Sequence, residues 1–282
     1  MEAPWDLQLQ KSGNPVTRLL KGLFYSSIYS GIFVGAMCSA ATFLLRLPFN
    51  PALPFICFSG CLLIYSMNRR TDLSEDSISL PERSRFTQRY GVYLLYTSMA
   101  LFGVSLLLSI RLGVGILAIA LLPQVMGVLY SQFRLKRVFI VKNLTVALAL
   151  TFPVLIVVAA EWPVQMYWIL LWGVVFIALF INTVIFDIKD VGGDAAHGIQ
   201  TIPLRLGVRY TRIFCYGLLA MAALLTVALL SRDPIFLALL PFFAYIGIYT
   251  AAAPARNAPW WYYGIFVDGE MLFLLAVILL MR

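Results

Sequence analysis

Two groups of acidic side chains, each at the end of a long apolar segment, have the residue types and spacing to hold a divalent cation. In the first group, Asn68, Asp72 and Asp76 follow one another at intervals of four residues. Intervals of four place all three side chains on one face of a helix, about one turn apart. Carboxylate and amide oxygens are the ligands that Mg²⁺ prefers, and bound Mg²⁺ commonly joins one or two carboxylates to substrate phosphates. The spacing therefore predicts half of a site for Mg²⁺ and a diphosphate.

The second acidic group contains Asp187, Asp190 and Asp194. These carboxylates share one face if the helix continues through Gly192 and Gly193, whereas a break at the glycines would leave Asp194 on a loop. Three carboxylates this close to a membrane helix are costly unless cations compensate them. Either group alone also fits an ordinary solvated loop, but two groups on the same membrane face favour a shared metal site.

Basic and hydroxyl side chains near the acidic groups are candidates to bind substrate phosphates. Arg and Lys stabilise the negative charge that develops on a leaving diphosphate. Arg83 and Lys136 are predicted to be catalytic in this way, and Lys189 to offset part of the acidic charge. The bias of membrane proteins toward basic cytoplasmic loops would place some of these residues here in any case. The other candidates for binding the diphosphate are Tyr130, Arg137 and Lys142.

The elements that position these residues must lie in a membrane. Of the 282 residues, 61% are hydrophobic and 12% are charged, against about 45–50% and about 25% in soluble domains. Nine apolar segments are each long enough to cross a bilayer, and lipid requires their backbone groups to pair internally, which predicts nine helices. The segments are 22–45, 51–68, 90–110, 112–130, 143–160, 164–186, 210–231, 235–253 and 262–281.

The distribution of basic residues predicts the orientation of these helices. The N-terminus and the loops after the even-numbered helices contain 17 of the 21 Lys and Arg residues. The positive-inside rule places that side, with the acidic groups, in the cytoplasm, and nine crossings place the C-terminus outside. Topology thus accounts for the net charge of +8, and no nucleic-acid partner is expected.

The order of the loops suggests an internal repeat within a single domain of residues 1–282. One acidic group follows the second helix and the other follows the sixth, so four helices separate them. Two related halves, about 22–142 and 143–260, followed by a last helix at 262–281, would produce this pattern.

The paired acidic motifs resemble those of the UbiA superfamily of intramembrane prenyltransferases. That family is characterised by an NxxxDxxxD motif and a later DxxxD motif. The matching residues are Asn68, Asp72 and Asp76 for the first motif, and Asp190 and Asp194, with Asp187 as an extra acid, for the second. The stretch 187–207 and the loop 130–137 are also similar to family segments, and the resemblance in helix count and loop order covers the whole chain.

The resemblance implies an all-α membrane protein with nine transmembrane helices in a bundle around a lipid-open cavity with a cytoplasmic polar cap. It implies Mg²⁺-dependent transfer of a prenyl group from an isoprenyl diphosphate to a lipophilic acceptor, with membrane lipids as further partners of the protein. The C–O bond of the donor ionises, and the acceptor attacks the allylic cation. The implied metal ligands are Asn68, Asp72, Asp76, Asp187, Asp190 and Asp194, of which Asp72, Asp76, Asp190 and Asp194 are also assigned catalytic roles.

Two departures from the family pattern leave the acceptor open. Arg69 and Arg70 occupy the interior of the first motif, and the segment 77–86 lacks an Asn-Arg-Pro pattern. The acceptor would be an aromatic ring, a tetrapyrrole, a glycerol-phosphate ether or a carotenoid end. One alternative is a terpene cyclase of the same superfamily, which acts without an external acceptor. A transporter or a non-catalytic lipid-binding protein is disfavoured, because transporter sites lie near the membrane midplane.

Further polar and aromatic side chains lie inside the apolar segments. Asp268 and Glu270 are functional candidates because charged residues are costly inside a membrane, and a cavity-facing role is one interpretation of them. Aromatic rings can stabilise an allylic cation, although core packing or lipid contact is the alternative for each of them. The aromatic candidates are Tyr25, Tyr29, Phe55, Phe58, Tyr65, Tyr167, Phe176 and Phe180.

Overall fold

The computed structural model of the protein describes residues 14–71, 73, 77, 80–132, 138–161, 163–196, 198–254, 259 and 261–282, and no strand occurs within these ranges. A 3₁₀ turn (Pro234–Ala238) precedes the helix Leu239–Ala252, and a π-helical turn (Tyr262–Val267) precedes the helix Glu270–Leu280. The α-helices are α1 (Pro15–Tyr25), α2 (Ile28–Leu44), α3 (Ala52–Thr71), α4 (Pro81–Leu112), α5 (Val114–Gln132), α6 (Val141–Leu150), α7 (Phe152–Ala160), α8 (Met166–Ala196), α9 (Ile202–Leu230), α10 (Leu239–Ala252) and α11 (Glu270–Leu280).

The helices make the chain a multi-pass membrane protein. Six stretches are long and apolar enough to cross a bilayer, namely α3, α4, α6 with α7, α8, α9, and the 3₁₀ turn with α10. The pair α1 and α2 would be a seventh, with a bend of 75° between them. All nine predicted segments coincide with helices, but α5 and α11 are shorter apolar helices. Since α11 rises only about 16 Å, roughly half the hydrocarbon thickness, nine crossings stay a prediction.

Local sequence explains where several helices begin and bend. The Asn14 side chain accepts a hydrogen bond from the Val16 N–H, and Pro15 occupies the first turn of α1, an arrangement that favours helix initiation. Ser27, with φ of 65°, separates α1 from α2. The Glu82 carboxylate accepts hydrogen bonds from Lys21 at 2.8 Å and from Tyr25 at 2.7 Å. Glu82 therefore fixes α1 against the start of α4.

The helices pack as a closed ring around the centre of the bundle. Consecutive elements are neighbours from α2 to α6, α6 packs on α8, and the sequence of neighbours continues through α9 and α10 to α11, which packs against α2. The core includes most of α8, where Ala178, Ile181 and Ile185 are fully buried. Apolar side chains on the outer faces are exposed, with Leu107 65% and Leu224 73% exposed. An apolar exterior of this kind suits a lipid solvent.

Candidate active site

A cavity of about 390 Å³ lies among the helices that carry the predicted site residues. We call it the polar cavity because charged and amide residues line part of its wall. Both halves of the chain contribute to its wall, because Asn68 comes from α3 and Asp187 and Asp190 come from α8. Of the predicted residues, those that line this cavity are Asn68, Arg83, Lys142, Asp187, Lys189 and Asp190. The two predicted motifs therefore meet at one cavity through the residues that the structure describes.

Asp187 is a buried carboxylate that two neighbouring side chains of α6 hold in place. Lys142 Nζ donates to Oδ1 at 2.7 Å, and Asn143 Nδ2 donates to Oδ2 at 2.8 Å. The Asp187 side chain is only 2% exposed, so its charge needs this compensation. Charge-assisted hydrogen bonds are stronger than neutral ones. The two hydrogen bonds to Asp187 therefore fix the start of α6 against the C-terminal part of α8.

Asp190 and Asp194 lie on the next turns of α8 and have different surroundings. The helix continues through both glycines to Ala196, so Asp194 lies on the helix and not on a loop. The Asp194 side chain is 9% exposed and lies 3.8 Å from Lys142 Nζ. The Asp190 side chain is 45% exposed, faces the cavity and lies 3.7 Å from Lys189 Nζ. Among these three acids, Asp190 is the one most accessible to a ligand.

The wall opposite α8 is formed by the end of α3 and the start of α4. Asn68 lies in the last turn of α3, and Arg83 lies in the first turn of α4, which Glu82 fixes to α1. Arg69, which the sequence marked as a departure from the family pattern, is buried and donates to the Phe24 carbonyl at 2.7 Å. Arg69 thus joins α3 to α1 beside the cavity. The predicted ligands Asp72 and Asp76 lie outside the described residues.

A second cavity of about 270 Å³ adjoins the polar one and is mostly apolar. The two cavities share wall residues at Tyr65, Asn68 and Val146. Tyr130 lines the second cavity together with Met126, and the predicted residues Lys136 and Arg137 lie outside the described part of the chain. A polar compartment beside an apolar one can accept a ligand with a charged head and a hydrocarbon tail.

The described residues alone do not complete a metal site. Within the described ranges, no three His, Cys, Asp or Glu side chains converge on a point that could hold a metal ion. The oxygen atoms of Asp187 are both engaged by protein donors, whereas Asp190 and Asn68, a carboxylate and an amide residue, line the same cavity. These are ligand types that fit Mg²⁺, and the sequence predicts that Asp72 and Asp76 add to them.

Some wall residues were missed by the sequence-based reasoning or were left without a role. Asn143 and Asn182 line the cavity and are buried, at 1% and 4% exposure. Both are amides within long apolar segments, which is the signal that would have found them, because buried polar groups require partners. Asp268, a functional candidate from the sequence, also lines the cavity. Among the aromatic candidates, Tyr65 lines both cavities, whereas Tyr29 donates a hydrogen bond to the Ile265 carbonyl.

Sequence comparison relates the chain to known prenyltransferases. The model of the UbiA prenyltransferase family matches residues 28–269. A digeranylgeranylglyceryl phosphate synthase from Korarchaeum cryptofilum (strain OPF8) is 28% identical over 166 residues. That match covers 57% of this chain and 58% of the relative, so the similarity extends over a little more than half of each protein.

Structural comparison identifies the fold. An apo UbiA homolog from Aeropyrum pernix K1 superposes with a TM-score of 0.66 at 17% identity, covering 90% of this chain and 98% of that one. A UbiA homolog from Archaeoglobus fulgidus, solved with DMAPP and Mg²⁺ bound, gives a TM-score of 0.64 at 16% identity and covers 91% and 98%. The helices described above therefore have the same overall arrangement as the helices of these proteins.

Proposed function

Because the chain belongs to the UbiA prenyltransferase family, we propose that it transfers the prenyl group of an isoprenyl diphosphate to a lipophilic acceptor and releases diphosphate, using Mg²⁺. The observation that carries this proposal is the pair of adjoining cavities. Asn68, Arg83 and Asp190 line the polar cavity, and mostly apolar residues line the neighbouring one. An isoprenyl diphosphate has the same division into a charged head and an apolar tail.

The polar cavity would bind the diphosphate head. Arg83 supplies positive charge to this cavity, and Lys142 and Lys189 are further basic residues on its wall. Asp190 and Asn68, with Asp72 and Asp76 from the first motif, would hold Mg²⁺. When bound, Mg²⁺ neutralises the charge that develops on the diphosphate. The Archaeoglobus fulgidus homolog was solved with DMAPP and Mg²⁺, which supports this choice of donor and metal.

The apolar cavity would bind the prenyl tail and keep water from the reacting carbon. Tyr65, Tyr130 and Phe152 contribute aromatic rings to its wall, and Phe33 and Phe186 contribute rings to the polar cavity beside it. Exclusion of water protects an allylic cation from hydrolysis. Aromatic faces can stabilise the same positive charge, so this wall would favour ionisation of the donor.

A glycerol-phosphate ether is the acceptor that we favour. The name of the Korarchaeum cryptofilum relative describes a product with two geranylgeranyl groups on glyceryl phosphate. The acceptor for adding the second group would be a glyceryl phosphate that carries one such group and one free hydroxyl. We further propose that the N-terminus and the loops that carry the acidic motifs face the cytoplasm, because 17 of the 21 basic residues fall on that side of the predicted topology.

The proposal is tested by supplying the purified protein with Mg²⁺ and a panel of prenyl diphosphates, with and without acceptors. The acceptors are geranylgeranylglyceryl phosphate and an aromatic compound that reacts at a ring carbon. We expect diphosphate release and a prenylated product whose mass is that of acceptor plus prenyl group, and we expect EDTA to abolish both. Hydrocarbon or alcohol products made equally fast without an acceptor would indicate a cyclase. Absence of turnover with every donor would refute the proposal.

A further inference from the structure

Asp268 lies on the wall of the polar cavity, on the part of the chain that closes the bundle. It follows the π-helical turn Tyr262–Val267 and precedes α11, outside the two predicted halves. The same cavity is lined by Asn68, Asp187 and Asp190. We propose that Asp268 binds the nucleophilic hydroxyl of the acceptor and receives its proton, an assignment that rests on the prenyl transfer proposed above.

The π-helical turn that carries Asp268 is held by hydrogen bonds from three other helices. The Tyr29 hydroxyl of α2 donates to the Ile265 carbonyl at 2.9 Å, and Asn182 Nδ2 of α8 donates to the Val267 carbonyl at 3.4 Å. The Tyr245 hydroxyl of α10 donates to the Phe266 carbonyl between them. These bonds satisfy three successive carbonyl groups, so the backbone immediately before Asp268 is fixed in place.

A π turn is a rare element that occurs frequently at functional sites. The residues of this turn pack closely against α1. Gly264 lies so close to the Phe24 ring that a Cβ at this position would collide with it. Gly264 and Phe24 both line the polar cavity. Asp268 therefore follows a closely packed turn on the wall of the cavity.

The Asp268 side chain retains its capacity to accept hydrogen bonds. Among the residues that the structure describes, none donates a hydrogen bond to this carboxylate, although a cavity wall that is otherwise rich in donors surrounds it. A carboxylate accepts hydrogen bonds through two oxygens, and a carboxylate inside a membrane protein without such bonds is costly. A ligand with a hydroxyl group would supply the missing donor.

The charged and titratable groups around Asp268 come from several elements. Lys189 of α8 supplies positive charge that partly offsets the carboxylate. Tyr29 of α2 and Tyr65 of α3 lie close enough to Asp268 to interact with its charge, and Glu270 adds like charge from α11.

Lys189 also contacts the faces of Phe186 and Tyr263, at 5.4 Å and 5.5 Å from the ring centroids, so its ammonium group is held between Asp190 and these two rings.

The reaction requires a group that accepts a proton. As the C1–O bond of the donor breaks, its electron pair leaves with the diphosphate. An oxygen lone pair of the acceptor forms the new bond to C1, and the hydroxyl proton is transferred to the Asp268 carboxylate. A base in contact with the hydroxyl group contributes typically about 10²–10⁴-fold to such a step. The proposed acceptor is therefore an alcohol, not a compound that reacts at a ring carbon.

The test compares wild-type protein with Asp268→Asn, using Mg²⁺, geranylgeranyl diphosphate and geranylgeranylglyceryl phosphate. We expect formation of the prenylated acceptor to fall by about 100-fold or more, while the Kd for geranylgeranyl diphosphate stays within about twofold of the wild-type value. Asp233→Asn makes the same chemical change at a site outside both cavities and should leave the rate unchanged. Asp268→Glu, which keeps a carboxylate, should recover part of the lost rate.

The outcomes separate the two proposals. Absence of turnover by wild-type protein with every donor would refute the prenyl transfer itself. Turnover by wild-type protein with Asp268→Asn equally active would overturn the role of Asp268 alone, as would turnover only with the aromatic acceptor. A variant that melts at the wild-type temperature but no longer binds geranylgeranyl diphosphate would also overturn it, because Asp268 would then belong to the donor site.

Discussion

Asp187 and Glu270 are both buried carboxylates near the ends of apolar helices, but their partners differ in charge. Asp187 accepts a hydrogen bond from the Lys142 ammonium at 2.7 Å and one from Asn143. Glu270 accepts from the Tyr249 hydroxyl at 2.6 Å and from the Asn182 amide at 3.2 Å. Glu270 is fully buried and is not part of the wall of either cavity described above, whereas Asp187 and Lys142 both line the polar cavity.

The two acids are both buried, so burial does not distinguish them, whereas the charge of their partners and their access to a cavity do. The Lys142 side chain is 23% exposed, so its ammonium group can interact with Asp187 and also with a diphosphate that enters the cavity. The partners of Glu270 are neutral and connect α8, α10 and α11. We therefore interpret Asp187 as part of the site and Glu270 as part of the support for the π turn.

The largest effect is expected from the acid that is most exposed to the cavity. Asp190→Ala removes a carboxylate that is 45% exposed and that would hold Mg²⁺, so charge on the leaving diphosphate would lose its compensation. We expect turnover to fall by roughly 10³-fold with little change in melting temperature. The measurement is diphosphate release together with thermal unfolding of the purified variant.

Asp72→Ala should have a similar effect on turnover, because the sequence assigns Asp72 to the same metal site. Expression and membrane insertion should be intact for both variants. If both variants kept wild-type activity, the assignment of a metal site to these acids would be wrong. Activity that survives in Asp190→Ala alone would leave the first motif as the metal site and remove Asp190 from it.

The second prediction separates the two roles of Lys142. Lys142→Met leaves Asp187 buried without its counter-ion, which typically costs on the order of 3–5 kcal/mol, and it removes positive charge from the cavity. The double variant Lys142→Met/Asp187→Leu removes both charges, so we expect its stability to recover. Its activity should not recover, because neither charge is then available to the substrate.

Thermal unfolding and turnover of the single and double variants measure these two roles independently. Recovery of both stability and activity in the double variant would mean that the Lys142–Asp187 pair is only structural. Failure of the double variant to regain stability would instead mean that Asn143, which also donates to Asp187, requires the carboxylate.

The sequence predicted the helices, whereas it did not predict the contacts among the residues that line the polar cavity. Apolar length and lipid solvent are sufficient to predict helices, and Asn68, one of the residues predicted from the first motif, lines the cavity. The engagement of Lys142 with Asp187 depends on how α6 packs against α8. This contact joins residues 45 positions apart, and no local pattern encodes it.

The last apolar segment also depends on contacts with distant helices that the sequence could not predict. Asp268 and Glu270 are two residues apart and have the same charge, so the sequence could mark both as candidates but could not assign them different roles. Their surroundings differ, because Asp268 lines the polar cavity and Glu270 is buried against Tyr249 and Asn182. The π turn before them accepts hydrogen bonds from Tyr29, Tyr245 and Asn182 of three distant helices. The periodicity of apolar residues predicts an uninterrupted helix here, because it contains no information on hydrogen bonds from distant helices.

A smaller effect is expected where a carboxylate is held by neutral donors. Glu270→Gln keeps an oxygen that accepts from Tyr249 or Asn182, so we expect stability within about 1 kcal/mol of wild type and turnover within about threefold. Glu270→Leu removes both acceptors and should cost about 1–3 kcal/mol. Thermal unfolding of the two variants checks this difference. A loss of turnover in Glu270→Gln comparable to that of Asp190→Ala would place Glu270 in the catalytic site and invalidate the comparison with Asp187.

The smallest effect is expected from an exposed counterpart of the Lys142–Asp187 pair, the ion pair between Arg46 and Asp233. Arg46 donates to both Asp233 oxygens, at 3.0 Å and 3.2 Å, and the Ile235 N–H donates to Oδ1 at 2.8 Å. The hydrogen bonds from the Arg46 guanidinium, and then the one from Ile235, hold the pKa of Asp233 below its ordinary value.

A lowered pKa means that the stabilisation is present above the unfolded-state pKa, about 3.9, and is lost as the pH falls through the folded-state value. Asp233→Asn can still accept from Ile235, so it isolates the effect of the charge. We expect its melting temperature to be slightly lower than that of wild type at pH 7, because exposed ion pairs contribute little, and the two to converge as the pH falls below the folded-state pKa of Asp233. A difference that persists unchanged in acid would show that the carboxylate acts here through packing or hydrogen bonding and not through its charge.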